Sequence, residues 1–141
     1  MKELVTTVAG FPLRLRRLHM GEDICLALSG GEQEHMGAIA VAQPRPSRAD
    51  PARTSATASV ITLPGHKEDV LVRELALKVA GTLNVTACVI CGIHVRHPTP
   101  LMLEEMVAAA HGLVNAFLEE AQNPDRTALE EMQDDDLTTW S

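Results

Sequence analysis

The run Val85-Thr86-Ala87-Cys88-Val89-Ile90-Cys91 constrains this chain most, because it is short, almost wholly apolar and ends at Gly92. Unbroken apolar character over so few residues is the pattern of a strand inside a sheet with both faces covered. Such a strand needs neighbours on both edges and a layer of other elements over it. The flanking sequence supplies that layer. From about His66 to Leu83, Val72, Leu75, Ala76, Val79, Ala80 and Leu83 recur at helical spacing, with Glu68, Asp69, Arg73, Glu74 and Lys78 on the outer side. A second helix opens with Thr99 as N-cap and Pro100 at the first turn, buries Leu103, Met106, Val107, Ala110, Val114 and Phe117, and ends near Ala121.

Upstream, the chain reads as strands. Leu4 to Met20 is extended and punctuated by Gly10-Phe11-Pro12, with period-2 alternation through Leu13 and Leu15. After a turn at Gly21-Glu22-Asp23, Ile24, Leu26 and Leu28 alternate with the smaller Cys25, Ala27 and Ser29. Gly30-Gly31 breaks that strand, and a polar segment through His35 and Gly37 leads into Ala38–Ala42 as an oversized hairpin. Residues 43–59 change to Pro, Arg, Ser, Thr and Ala, and Pro44, Pro46 and Pro51 make them a long mobile loop in which Arg45, Arg48 and Arg53 could reach an anion. Val60–Leu63 is the next strand.

The order β-β-β-β-α-β-α predicts an α+β fold: a mostly antiparallel sheet with two helices packed on one face. The other sheet face is apolar enough to need a partner, and a homodimer through the sheets supplies one. Residues 1–121 form the single predicted domain, and 122–141 an acidic, flexible tail. Net charge is −7, all of it carried by residues 119–141, so the body of the chain is neutral. A neutral body with two Phe, one Trp and no Tyr offers neither a basic footprint nor a stacking platform for nucleic acid. The start carries no charged region followed by a long apolar stretch, and no window reads as a bilayer span, so the expectation is a soluble, cytoplasmic protein without membrane contact.

Cys25, Cys88 and Cys91 are odd in number and lie in or at the ends of apolar runs, which fits buried thiols better than a disulfide framework or a Cys88/Cys91 redox pair. Candidate chemistry concentrates in polar turns instead. Gly65-His66-Lys67-Glu68 delivers a histidine and a lysine to a helix start, where free N–H groups and the helix dipole favour phosphate or carboxylate. Gly30-Gly31 with His35, and Gly92-Ile93-His94, form further turns of the same kind. Asp23, Glu32 and Glu34 are candidates to pair with histidines in acid–base work. A zinc site from His94 and His97 would need His35 or His66 as third ligand. There is no GxSxG elbow, no P-loop and no HExxH, which disfavours nucleophilic and phosphoryl-transfer catalysis.

Taken in order, Gly21-x-Asp23, Gly30-Gly31-x-x-x-His35-x-Gly37, Gly65-His66-Lys67-Glu68 and Gly92-Ile93-His94 resemble the small prenylated-flavin chaperone family typified by the D subunit of gallate decarboxylase, over roughly residues 10–120. The resemblance implies a proteasome-assembly-chaperone-like protomer that dimerises. It implies an accessory role, not a decarboxylase: binding prenylated flavin mononucleotide (FMN) made by a flavin prenyltransferase, and supporting its maturation or handover to a UbiD-like aromatic-acid decarboxylase. Gly30, Gly31, His35, Gly65, His66, Lys67, Gly92 and His94 would then be the cofactor-binding residues, with Lys67 near the phosphate and the histidines at the ring edge. The competing readings are an assembly protein with no small-molecule site, and a small metal-dependent enzyme using His35, His66, His94 and His97.

Overall fold

A computed structural model describes residues 2–63 and 68–124. Six strands and two helices follow in the order β1 (Glu3–Val8), β2 (Phe11–Met20), β3 (Asp23–Gly31), β4 (Gln33–Pro46), β5 (Thr54–Thr62), α1 (Asp69–Leu83), β6 (Ala87–His94) and α2 (Pro100–Gln122). The sheet order is β1-β2-β3-β6-β4-β5, antiparallel except for the β3–β6 pair. The apolar run thus forms the strand slotted between β3 and β4. It reaches that place because α1 carries the chain from edge strand β5 back over β4, a connection that parallel strands require. The expected α+β class, with both helices on one sheet face, is what the chain adopts.

The core lies between that face and the helices. Leu13 and Leu15 of β2, Ile24, Leu26 and Leu28 of β3, Ala38, Ala40 and Ala42 of β4, and Ala87, Val89 and Cys91 of β6 meet the buried stripes of α1 and α2. Alternation along each strand sends every second side chain inward. The three alanines of β4 leave room for α1, which buries Leu71, Val72, Leu75, Ala76, Val79 and Ala80. Helix α2 has the expected Thr99 cap, whose hydroxyl accepts from the Met102 N–H at 3.1 Å, and Pro100 begins its first turn. Its buried stripe is Met106, Ala110, Leu113, Val114, Phe117 and Leu118, so Leu103 and Val107 turn to solvent and the stripe sits further along the helix than expected. His111 joins the helices, meeting Lys78 Nζ at 2.7 Å and Glu74 at 3.2 Å.

Several expectations need correction. Leu4–Met20 is two strands, because Ala9 and Gly10 both take positive φ and turn the chain in two residues, pairing Val8 with Phe11. The sequence therefore holds five strands before α1, not four. The long loop over 43–59 is instead the far end of a β4–β5 hairpin, open only between Pro46 and Thr54. Its prolines are tolerated for a reason of parity. The Gly37 carbonyl accepts from Leu63, so odd positions of β4 turn toward β5 and even ones toward β6. Pairing with β6 ends at Ala42, so Pro44 and Pro46 lack an N–H only where no strand would receive it.

Among the described residues strand β6 is covered on one face only: Ala87, Val89 and Cys91 are buried, whereas Cys88 and Ile90 on the other face are half-buried. Helix α2, contrary to the sequence reading, is long and apolar enough to cross a membrane by length and composition. In the fold its apolar stripe packs on the sheet. Of the acidic stretch, Gln122 ends α2 and Asn123 caps it, while residues from Asp125 onward lie outside those described.

Candidate functional site

The regular β4–β6 ladder breaks once. Glu34 pairs with Ile93 and Ala38 with Cys91, so three residues of β4, His35 to Gly37, stand opposite Gly92 alone. This bulge is possible because Gly92 has no side chain: a Cβ there would occupy the position of the His35 carbonyl. A second close crossing lies beside it. Gly31 has φ of +82°, and a Cβ would strike the backbone of His94, whose carbonyl accepts from the Glu32 N–H at 2.7 Å. The carboxyl ends of β3 and β6 are thereby drawn together next to the bulge.

Into this corner points the residue that begins α1. Glu68 occupies the N-cap position but makes no side-chain cap bond. Its carboxylate instead turns under the bulge against Gly37, where a Cβ would collide with it. Glu68 Oε1 accepts from the Ile93 N–H at 3.4 Å and lies 3.7 Å from His35 Nε2. Its other oxygen is buried and accepts no hydrogen bond among the described residues. The His35 and His94 rings meet edge to face, with centroids 5.6 Å apart. Below them Cys91 is wholly buried, and its thiol is pushed up to about 12, first by burial and then by the charge of Glu68.

Chemically the corner offers a recessed carboxylate with accepting capacity to spare, two adjoining imidazoles, and a floor of backbone exposed by glycine. It can accept a hydrogen bond from a ligand N–H or O–H and relay a proton between carboxylate and imidazole. A bare phosphate against the buried Glu68 oxygen would be repelled, so an anionic group belongs elsewhere on a ligand held here.

The structure brings Gly31, His35, Gly92 and His94 together as predicted site residues. Gly30 precedes Gly31 and is in register with Ile93, but its open side faces the backbone of Pro12 and Leu13, where it lets β2 and β3 approach. Gly65, His66 and Lys67 lie outside the described residues, although their flanks reach the corner: Leu63 donates to the Gly37 carbonyl and Glu68 lies beneath it. Asp23 accepts from the Thr86 N–H, Glu32 accepts from the Arg96 N–H, and Glu34 accepts from the Ser29 hydroxyl, so these carboxylates bond to partners other than histidine side chains. Among the described residues no three His, Cys, Asp or Glu side chains are grouped to hold a metal ion.

Sequence reasoning placed Glu68 on the outer side of α1, and the structure corrects this. A helical wheel does not apply to the residue before the first turn, whose backbone is not yet helical. Gly37 and Cys91 were missed as site residues for a related reason, since a bulge shifts which residues share a face.

A solved structure described as a novel chaperone complex for yeast 20S proteasome assembly is similar to this chain, at 16% identity over 89% of this chain and 95% of that one, with a TM-score of 0.45. No curated protein matches. The model of the prenylated flavin chaperone LpdD-like domain matches residues 7–122, and the chain belongs to that family.

Proposed function

We propose that the chain is a cytoplasmic accessory protein that binds prenylated FMN at the bulge between β4 and β6 and supports its maturation or its delivery to a UbiD-like aromatic-acid decarboxylase. The observation that carries this reading is the buried Glu68 carboxylate, set beside His35 and His94 with one oxygen not engaged by any described residue. A flavin ring presents a hydrogen-bonding edge that suits such an acceptor, and family membership supplies the class of cofactor. The flavin supplies a redox-active ring when bound, and the protein's part is to hold and orient it. Gly31 and Gly92 give the ring backbone to lie against, the imidazoles cover its edge, and Lys67 with the chain at Gly65 and His66 takes the phosphate.

The open sheet face supports a second element of the proposal, a homodimer. Ile39 and Val41 of β4, Ile61 of β5 and Ile90 of β6 share that face, with Ile61 63% exposed and Val41 41% exposed. An apolar surface of this kind, continuous across three strands, is relieved by a second copy. The flavin prenyltransferase and the decarboxylase are the partners this role requires.

The test is an anaerobic titration of the purified protein with reduced prenylated FMN and, in parallel, with plain FMN, followed by absorbance and then by admission of air. Selective saturable binding of the prenylated form is expected. Failure to bind either flavin refutes the cofactor role and leaves a protein-interaction role for the sheet face.

A further inference from the structure

Cys25 of β3 and Cys88 of β6 are register partners across the one parallel ladder. Residues in register on adjacent strands leave the sheet on the same face, and for this pair it is the face away from the helices. Both side chains are partly exposed, whereas Cys91 is buried in the core. The CxxC spacing therefore misleads: Cys88 and Cys91 are separated by an odd number of positions and point to opposite faces, and the thiol that neighbours Cys88 comes from another strand. The row across the sheet runs Leu18, Cys25, Cys88, Val41, so apolar side chains flank the two thiols. Burial first, and then the neighbouring Cys25, push the Cys88 thiol up to about 11.

Adjacent strands lie about 4.8 Å apart, which falls within the roughly 4.4–6.8 Å between Cα atoms that a disulfide spans. We propose that Cys25 and Cys88 form a reversible intramolecular disulfide across β3 and β6 when a small disulfide such as oxidised glutathione is in excess. One protein thiol loses its proton to solvent and attacks a glutathione sulfur, breaking that S–S bond and releasing one glutathione thiolate. The second thiol, once deprotonated, attacks the protein sulfur of the mixed disulfide and releases the other glutathione. Two protein thiols are thus oxidised by two electrons and one glutathione disulfide is reduced to two thiols. The bond would staple the ladder that ends, six residues further along each strand, at Gly31 and His94.

The full chain is refolded and brought to equilibrium in glutathione buffers of increasing oxidised fraction, so that a subunit contact cannot shield the thiols. Samples are quenched with acid, alkylated under denaturing conditions and weighed intact. The wild type is expected to lose two hydrogens and retain one alkylated thiol. Cys91→Ala protein is expected to lose two hydrogens and retain none, with a tryptic fragment joining the Cys25 and Cys88 peptides. Cys25→Ser and Cys88→Ser proteins should each keep two thiols that carry alkyl or glutathione. Mixed glutathione adducts alone, pairing with Cys91, linkage between two chains, or no oxidation in excess oxidised glutathione would each overturn the assignment.

Discussion

Glu68 is the residue on which the site turns, and Cys91 reports on it. An unfolded cysteine ionises near 9, whereas Cys91 in the fold keeps its proton to about 12. Between those values the unfolded chain binds fewer protons than the native one, so this group's contribution to stability is full below about pH 9. It then falls by up to about 1.4 kcal/mol per pH unit as pH rises. Alkaline denaturation of wild type and Cys91→Ala proteins checks this, with a shallower decline expected for the variant. Glu68→Gln removes the nearby charge, the lesser of the two causes, so the Cys91 thiol is expected to ionise at lower pH yet still above 9, as read by thiolate absorbance. An unchanged Cys91 titration would mean that the carboxylate does not act on the thiol. Glu68 itself was visible in the sequence only as the last member of Gly65-His66-Lys67-Glu68; its inward turn depends on the bulge at Gly37 and Gly92, which only the strand pairing brings over it.

At the scale of elements, the two helices and the apolar strand were legible because their signals are local: spacing along α1 and α2, a capping threonine before a proline, an unbroken apolar run. Thr99→Ala should cost about 1 kcal/mol, seen as a lowered denaturant midpoint, because the Met102 N–H loses its acceptor. What the sequence concealed was non-local. β1 hid because its turn is only Ala9-Gly10, and the β4–β5 hairpin hid because prolines exclude a strand only where a neighbour needs the missing N–H. The bulge likewise follows from pairing and not from any single segment. Gly92→Ala forces a methyl onto the His35 carbonyl and should destabilise the fold by about 2 kcal/mol or more in urea, whereas Gly112→Ala on α2 meets nothing and should stabilise it by about 0.5–1 kcal/mol. Equal effects at the two positions would contradict the crossing at the bulge.

For the whole molecule, an α+β protomer with helices on one face leaves the other face to chemistry or to a partner, and the proposed dimer and disulfide both use what the helices leave uncovered. Ile90→Asp together with Ile61→Lys should convert a dimer to a monomer in light scattering without loss of helix content, because neither side chain belongs to the buried core. A protein that is monomeric before mutation would remove the dimer and leave the flavin site standing. The central claim is that the corner at the β4 bulge holds the flavin, and the most direct measurement of it is the nitrogen NMR spectrum of the His35 and His94 rings, assigned by His→Gln substitution, during anaerobic titration with reduced prenylated FMN. The account predicts that both rings shift together and saturate at the same ligand concentration while His111, at the far junction of the helices, stays in place. Saturable binding that leaves the His35 and His94 signals unmoved would contradict it and put the flavin elsewhere on the chain.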